Sequence, residues 1–334
     1  MNRSVLTIVL VLAGIIAYSC AGSEDSITVY SGRTENLIGP LIEQFTETTG
    51  IDVEVRYGQS ADLALLIHEE GDRSPADVFI SQSPGAIGFL AERGRLRPID
   101  HDTLALLPAE FRNAEGKWAG MSGRVRVVVY NRDLVDPSEL PGSVFELTQE
   151  RFRGQVAVAP ANGSFQDFVT AMREIHGDEV TLGWLRGLKA NDARSYANNT
   201  SIVQAVGRGE IPLGLVNHYY NLRAKAEDPS VASENYFFPN RDIGSLIIVT
   251  AIGILTTTDD TAPADRLVQY MLGEQAQEFF SEQTFEYPLA GGVQPSPGLP
   301  PLATIEVATY DFDRLGGGLE RTKELIDESG LEGS

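Results

Sequence analysis

The sequence predicts a two-lobed α/β protein with a cleft and a hinge. Short strand-like stretches alternate with amphipathic helical stretches, a pattern typical of largely parallel sheets. Two long β-branched stretches, 125–130 and 246–255, lie far apart in the chain with a second series of such units between them. A length of 334 residues also exceeds what one compact domain usually needs. We therefore expect two α/β domains joined by two crossing strands, with a ligand cleft between them.

Strands are predicted where β-branched residues cluster, and helices where apolar residues recur every three or four positions. In chain order, the predicted elements are strand 27–30, a helix that stops at Gly50, strands 51–57 and 77–80 with helix 61–70 between them, strands 125–130 and 155–159, helices 165–175, 181–188 and 200–206, strands 211–216 and 246–255, and helix 262–283. Parallel sheets bind ligands at the loops beyond their strands' carboxyl ends. Loops 30–33, 58–60 and 81–83 are therefore candidate site loops.

Each lobe is predicted to combine separate segments of the chain. The first lobe takes residues 27–126 and 247–283, and the second takes 127–246 and 284–334. The acidic end, from about Glu328, is expected to fray because chain termini stay loose unless they are packed.

The start of the chain resembles a bacterial lipoprotein signal peptide. Arg3 supplies a positive start, residues 5–17 form an uncharged apolar run too short to span a membrane comfortably, and small residues precede Cys20. Residues 1–19 are therefore predicted to be removed, Cys20 to carry a lipid, and residues 20–26 to form a linker. We expect an extracytoplasmic protein, in the periplasm or at the cell surface, held to the membrane only by that lipid. Cys20 is the only cysteine, so no internal disulfide is possible.

Charge and motif content narrow the functional class. The formal net charge of −21 argues against nucleic acid as a partner, because phosphate backbones are bound by an excess of lysine and arginine. No Gly-x-Ser-x-Gly motif occurs, and the four histidines have no metal-pair spacing; His218 is expected to face outward. These features favour a binding protein over a hydrolase, and we expect a monomer.

The strongest candidate site is the pair Tyr219 and Tyr220. It follows the strand-like stretch 211–216 and precedes the helix-prone stretch 221–226. At an irregular strand-to-helix junction, two consecutive phenol oxygens can point to one spot. Phenolates are hard anionic oxygen donors that suit ferric iron. The alternative is that both rings only cover the edge of the core, and the dipeptide alone does not decide between these readings.

Amide-bearing loop ends supply a candidate anion site. Asn162, Gly163 and Ser164 precede the helix that begins at Phe165, with Ser164 as the predicted cap and Asp167 in the capping-box position. A helix start can hold an oxyanion through unpaired amide hydrogens, although ordinary capping explains the same pattern. Asparagine also occurs at two other loop ends, Asn199 and Asn217. Arginine follows glycine at two strand boundaries, Arg33 and Arg124. Each guanidinium could bind an oxyanion or simply lie at the surface.

Four segments together carry a family resemblance. Residues 29–33, 69–79, 122–131 and 217–220 resemble, in this order, the ferric iron-binding periplasmic proteins of ABC importers. The resemblance covers almost the whole chain after the signal peptide. It implies the type II periplasmic-binding-protein fold, delivery of iron to an ABC permease and its ATPase, and no enzymatic activity.

The resemblance also implies a ligand set. Tyr219 and Tyr220 correspond to iron ligands, and an exogenous carbonate or phosphate would complete the shell of the Fe³⁺ ion. In the phosphate-using branch the anion is held by a loop matching Asn162, Gly163 and Ser164 and by asparagines matching Asn199 and Asn217. Other branches recruit a first-loop tyrosine, matching Tyr30, and hold carbonate with arginines, here Arg33 and Arg124.

Three positions depart from the family pattern. Thr34 stands where the phosphate-using branch has a histidine ligand, and Gln82, a possible cleft contact, stands where it has a glutamate. Phe165 stands where a further branch has an extra tyrosine. These departures leave open a receptor for a small organic oxyanion such as a phosphonate, and a sensory binding module on the same scaffold is a further alternative.

Overall fold

The computed structural model describes residues 26–290, 292–310 and 318–333. Its strands are β1 (Ser26–Ser31), β2 (Asp52–Tyr57), β3 (Val78–Ser81), β4 (Leu96–Arg97), β5 (Ala119–Asn131), β6 (Val156–Val158), β7 (Arg194–Ser195), β8 (Leu213–Asn217), β9 (Ser233–Tyr236), β10 (Ile247–Leu255) and β11 (Tyr287–Pro288). Its α-helices are α1 (Glu35–Thr49), α2 (Ser60–Glu70), α3 (Pro84–Glu92), α4 (His101–Leu104), α5 (Gly163–His176), α6 (Asp178–Ala190), α7 (Asn199–Gly207), α8 (His218–Glu227), α9 (Thr261–Met271), α10 (Glu274–Glu282) and α11 (Leu319–Ser329).

The strands form one curled sheet whose two halves share β5. The strand order is β2-β1-β3-β10-β5-β8-β6-β7, and β4, β9 and β11 pair off this path. Up to Val125, β5 pairs with β10, where Val125 lies opposite Ile247; from Arg126 onward it pairs with β8, where Arg126 lies opposite Asn217. The change of partner falls between Val125 and Arg126. β5 is thus the crossing strand that connects the two α/β halves.

The helices cover both faces of this sheet and bury continuous apolar runs. Every residue of β10 is buried, as expected for a strand covered on both faces. The larger apolar cluster extends through both halves, and a second, smaller cluster lies in the β8 half between β5, β6, β8 and α7. The two halves therefore each have packed apolar interiors beside the shared strand.

Two predicted elements differ from those observed. β5 starts at Ala119, earlier than predicted, because its first residues are small and closely approached: a Cβ on Gly120 would lie 2.7 Å from the Phe111 carbonyl oxygen. The predicted helix 262–283 is two helices, α9 and α10, with Gly273 as the N-cap of the second.

The end of the chain also differs from the prediction. Leu325 and Ile326 of α11 are buried, and this helix packs against α5 and α6, so the predicted fraying from Glu328 is wrong. Burial of the apolar face of α11 holds this helix against its neighbours. β11 pairs with Ser122 and Gly123 in the β10 half of the sheet. The predicted lobe limits stay predictions.

The predicted signal peptide, 1–19, and Cys20 lie outside the described residues. Within the described part of the chain, no helix has the length and apolar character needed to cross a bilayer.

Candidate functional site

The tyrosine pair lies in the first turn of α8. This helix begins directly after β8, with Asn217 as its N-cap, so the expected irregular junction is replaced by an immediate strand-to-helix transition. The rings of Tyr219 and Tyr220 stack with centroids 4.2 Å apart and an interplanar angle of 27°. Tyr219 is buried and Tyr220 is half-buried. Two phenols thus lie side by side at the end of a central strand.

The surroundings of Tyr219 keep its phenol neutral. Burial raises its pKa well above the ordinary value, the neighbouring Tyr220 raises it further, and the charges of Arg33 and Arg124 oppose this rise. A phenolate would therefore form here only when a cation compensates its charge. The same electrostatic couplings show that both arginines lie near the tyrosine pair.

Arg33 belongs to a buried network that includes Glu286. Its Nη2 donates to one carboxylate oxygen of Glu286, and the Ser122 hydroxyl donates to the other. Burial lowers the pKa of Arg33, but Glu286, Tyr219 and Tyr220 together more than offset this effect, so the net shift is upward. Glu286 is fully buried and was not among the predicted site residues. Part of the charge of Arg33 is thus already neutralised by the protein.

Arg124 and Arg126 are two residues apart on β5, so their side chains leave the same face of the strand. Both are buried. The Nη2 of Arg124 donates to the backbone oxygen of Gln82, and the Nη1 of Arg126 donates to the Asn217 amide oxygen at 3.1 Å and to the Ser164 hydroxyl at 3.5 Å.

Much of these two guanidinium groups is left unpaired. Nε and Nη1 of Arg124, and Nε and Nη2 of Arg126, have no hydrogen-bond partner among the described residues. Burial lowers the pKa of Arg126 to about 9, with Tyr220 and Asp167 opposing the shift. Buried donors without a partner cost free energy, so this face of β5 is suited to receive an anion.

The predicted amide loop joins Arg126. Asn162 caps α5 by accepting from the Ser164 amide at 3.1 Å, so Ser164 is not the cap as predicted. The Ser164 hydroxyl instead donates to Asn162 Oδ1 at 2.6 Å and accepts from Asn199 Nδ2 at 3.1 Å. Gly163, the first residue of α5, is exposed. The structure therefore brings Asn162, Ser164, Asn199 and Asn217 into one network around Arg126.

Asp167 faces the arginines rather than completing a capping box. Burial raises the pKa of its carboxyl to about 6, while Arg124, the Ser83 hydroxyl and Arg126 oppose the rise. Asp167 follows the amide loop on α5, and Ser83 follows β3, so this contact joins the two halves of the protein.

Tyr30 is not brought together with the other candidates. Its hydroxyl donates to Glu70 at 3.2 Å and accepts from Arg56 at 3.3 Å. Glu70 ends α2, whose first residue, Ser60, accepts from the Gln82 amide at 2.9 Å beside the cleft. Ten residues of helix separate the two ends by about 15 Å. This position does not fit the expected role of Tyr30 as a ligand.

Thr34, Gln82 and Phe165, the three residues that depart from the family pattern, lie in environments that suit their residue types. The Thr34 side chain is exposed and donates to Asn36 at 2.5 Å. Gln82 is half-buried and uses its backbone, not its side chain, in the contacts with Ser60 and Arg124. Phe165 is core, stacked on Trp184 with centroids 6.3 Å apart. In the described residues, no group of three or more His, Cys, Asp or Glu side chains could hold a metal ion.

Four residues of the site were missed by the sequence reasoning. His218 is fully buried, not outward-facing, and burial lowers its pKa to about 4. Arg126 could have been found from the alternation of Ser122, Arg124 and Arg126 along one strand face. Asp167 and Glu286 carry no local signal, because each meets its arginine only through the tertiary fold.

Comparisons with known proteins agree with this architecture. Residues 73–315 match the family described as bacterial extracellular solute-binding protein. The chain is 30% identical over 314 residues to the Fe(3+)-binding periplasmic protein of Serratia marcescens, which covers 93% of this chain and 92% of that relative. Iron-bound HitA from Pseudomonas aeruginosa superposes with a TM-score of 0.85 at 32% identity, covering 92% of this chain and all of that chain (100%).

A third similar protein is the Trichodesmium IdiA (FutA) in complex with iron and citrate ligands. It superposes with a TM-score of 0.81 at 31% identity and covers 92% of this chain and 99% of that chain. The structural neighbours are two-lobed periplasmic binding proteins, so the predicted fold class and the resemblance to ferric iron-binding proteins are confirmed. The chain belongs to the bacterial extracellular solute-binding protein family and is a binding protein rather than an enzyme.

Proposed function

We propose that this protein captures ferric iron outside the cytoplasm with Tyr219, Tyr220 and a synergistic anion, and delivers it to the permease and ATPase of an ABC importer. The observation that carries the proposal is the stacked tyrosine pair facing buried arginines that have unpaired donors. The names of the relatives, which specify ferric iron, support the choice of cargo.

The tyrosines would bind iron as phenolates. Because burial disfavours the phenolate of Tyr219, its proton stays in place until the cation arrives. A trivalent cation favours hard, anionic oxygen donors, and two adjacent phenolates offer two. Binding would then release protons and weaken as the pH falls.

Charge balance favours a dianion as the partner of iron. Arg33 and Glu286 form an ion pair, and Asp167 offsets one of the two other arginines, so the cleft retains one positive charge. A ferric ion bound by two phenolates adds one more positive charge. Carbonate or hydrogen phosphate would bring the buried site to neutrality, which a low-dielectric environment favours.

The anion would be held by Arg124, Arg126 and the loop network. Their unpaired guanidinium donors, the Gly163 end of α5, Ser164, Asn199 and Asn217 surround one region. Arg33 would act mainly through its charge on the tyrosines, because Glu286 occupies its Nη2. Tyr30 is left out of the proposed ligand set because its hydroxyl bonds to Glu70 and Arg56.

A ferric titration tests this proposal. The purified protein is titrated in phosphate, in bicarbonate and in anion-free buffer, and the visible phenolate-to-iron charge-transfer band is followed. We expect a saturable one-to-one band that is strengthened by one of the anions, is weaker and shifted in Tyr219→Phe and in Tyr220→Phe, and is lost when both tyrosines are replaced. Tyr270→Phe is a matched control, because Tyr270 lies on α9 and its hydroxyl donates to Gln44 at 2.9 Å.

The titration also separates the competing functions. A wild-type protein without a band in any buffer, but with saturable binding of a phosphonate, would establish the organic-oxyanion receptor instead. Transport rather than sensing is tested by iron uptake in cells that lack the gene, with complementation by wild type and by Tyr219→Phe.

We further propose that the protein acts as a monomer anchored through a lipid on Cys20. Metabolic labelling with a radioactive fatty acid should mark the wild-type protein and not Cys20→Ser. Light scattering should give the mass of one chain with and without iron.

A further inference from the structure

A buried histidine lies directly behind the tyrosine pair. His218 is the first residue of α8, and its ring is fully buried. Its Nδ1 accepts a hydrogen bond from the Val125 amide at 3.0 Å, and its Nε2 lies 2.8 Å from the Phe285 carbonyl oxygen. Because Nδ1 accepts, the proton of the neutral ring lies on Nε2 and is donated to Phe285. One tautomer thus satisfies both contacts.

The two partners of His218 lie in the β10 half of the sheet, one on β5 and the other just before β11. Val125 is the last residue of β5 that pairs with β10. Phe285 has a φ of 57°, a left-handed conformation that is unfavourable for a phenylalanine, and it precedes Glu286, which binds Arg33 and Ser122. Such a backbone persists only where its neighbours fix it, and His218 and Glu286 do so on either side.

The other faces of the ring contact aromatic neighbours. The Tyr219 ring meets it edge-on, with centroids 6.1 Å apart at 82°, and the Tyr287 ring lies 4.9 Å away. His218 therefore fills the space between Tyr219 and the segment 285–287. A shift of α8 relative to that segment would strain the hydrogen bond to Phe285, and a shift relative to β5 would strain the bond from Val125.

We propose that His218 is a positioning residue for the iron site: held between the Val125 amide and the Phe285 carbonyl, it fixes the Tyr219 phenol relative to β5, the strand that both halves share, and to the segment 285–287 in the β10 half. This role rests on the proposed function, because it acts through Tyr219 as an iron ligand. It makes the geometry of the tyrosine pair depend on how α8 lies against these two elements, so that opening of the lobes weakens the hold of Tyr219 on the metal.

Two substitutions separate the two hydrogen bonds. His218→Gln can place its amide nitrogen near the position of Nε2, which retains the bond to Phe285 and loses the bond from Val125. His218→Asn can place its amide oxygen near the position of Nδ1, which retains the bond from Val125 and loses the bond to Phe285. Each variant and the wild-type protein are loaded with ferric iron in bicarbonate or phosphate buffer.

The measured quantities are the wavelength of the charge-transfer band and the rate of iron release to a competing chelator. We expect each variant to release iron at least five-fold faster than wild type with a shifted band. The matched control is His68→Gln: His68 is half-buried on α2, with its ring edge-on to Phe89 at 5.6 Å, and this variant should keep the wild-type band and release rate.

The outcomes distinguish the two proposals. A wild-type band with the same wavelength and release rate in both His218 variants would overturn the positioning role and leave the proposed function intact, even if the variants melt at a lower temperature. A wild-type protein without any band would overturn the proposed function and the positioning role with it.

Discussion

Arg126 and Asn217 face each other across β5 and β8, and the guanidinium of Arg126 donates to the amide oxygen of Asn217 at 3.1 Å. Both side chains are buried. Asn217 is also the N-cap residue of α8, the helix that carries the tyrosine pair. This contact therefore connects the proposed anion-binding arginine to the start of the helix that holds the proposed iron ligands.

Replacing Arg126 should weaken iron binding without weakening the fold. In Arg126→Gln a desolvated charge with two unpaired donors is removed, so the melting temperature of the iron-free protein should stay the same or rise. The stimulation of iron binding by the anion should fall at least about ten-fold, because a charged hydrogen bond contributes about 1.5–3 kcal/mol. Ferric titrations with and without the anion measure this, and an unchanged anion dependence would contradict it.

Iron binding should release protons from the tyrosines. The raised pKa of Tyr219 means that its phenol is protonated before binding, and each coordinating phenol must lose its proton. Between pH 5 and 8 we expect affinity to fall by up to about 100-fold per pH unit of acidification if two protons are released. Ferric nitrilotriacetate titrations in weakly buffered solution measure the release. The proton count should drop by one in Tyr220→Phe; equal counts would argue against two phenolates.

Asp167 should make the stability of the iron-free protein depend on pH. Its folded-state pKa of about 6 lies above the ordinary aspartate value, so between about pH 4 and 6 the folded protein binds more protons than the unfolded chain. Its contribution to the free energy of unfolding is therefore fully present below pH 4 and is lost as the pH rises to about 6, by up to about 3 kcal/mol. The difference between Asp167→Asn and wild type, from urea denaturation at several pH values, should change across this window. If this difference in the free energy of unfolding stayed constant with pH, it would refute the raised pKa of Asp167.

Tyr30→Phe should leave the iron site unchanged. Its hydroxyl bonds to Glu70 and Arg56, away from the tyrosine pair, so the charge-transfer band and the iron affinity should match wild type. The free energy of unfolding should fall by about 1 kcal/mol for the lost hydrogen bonds. Loss of the band in this variant would restore Tyr30 to the ligand set.

Local pattern was sufficient for most of the fold. Helical periodicity and β-branched runs located most of the longer strands and helices, since these signals reflect which face of each element is buried. The errors occurred where contacts between distant segments decide the structure. The first half of β5 was missed because its residues are small. The packing of α11 through Leu325 and Ile326 was missed because the end of the chain is acidic.

The candidate site was predictable in its loops but not in its charges. Asn162, Ser164, Asn199 and Asn217 converge as predicted, because the ends of neighbouring strands and the starts of their helices lie at one edge of the sheet. Glu286 could not be linked to Arg33 from the sequence, because the two residues are 253 positions apart and meet only in the folded chain. Tyr30 was placed in the cleft by the resemblance to a first-loop tyrosine and by its position at a predicted strand end. Its side chain, however, points to the opposite face of β1 from that of Ser31.

The sharing of β5 between both halves also has a consequence for how the binding site is assembled during folding. One face of this strand carries Ser122, Arg124 and Arg126, and the other carries Gly123, Val125 and Val127. A slip of one residue in its pairing would turn valines into the cleft and bury two arginines in the apolar layer. Formation of the anion site and stable packing of both halves therefore depend on the same register. A chain that pairs β5 in the wrong register loses the anion site and the stability of both halves together.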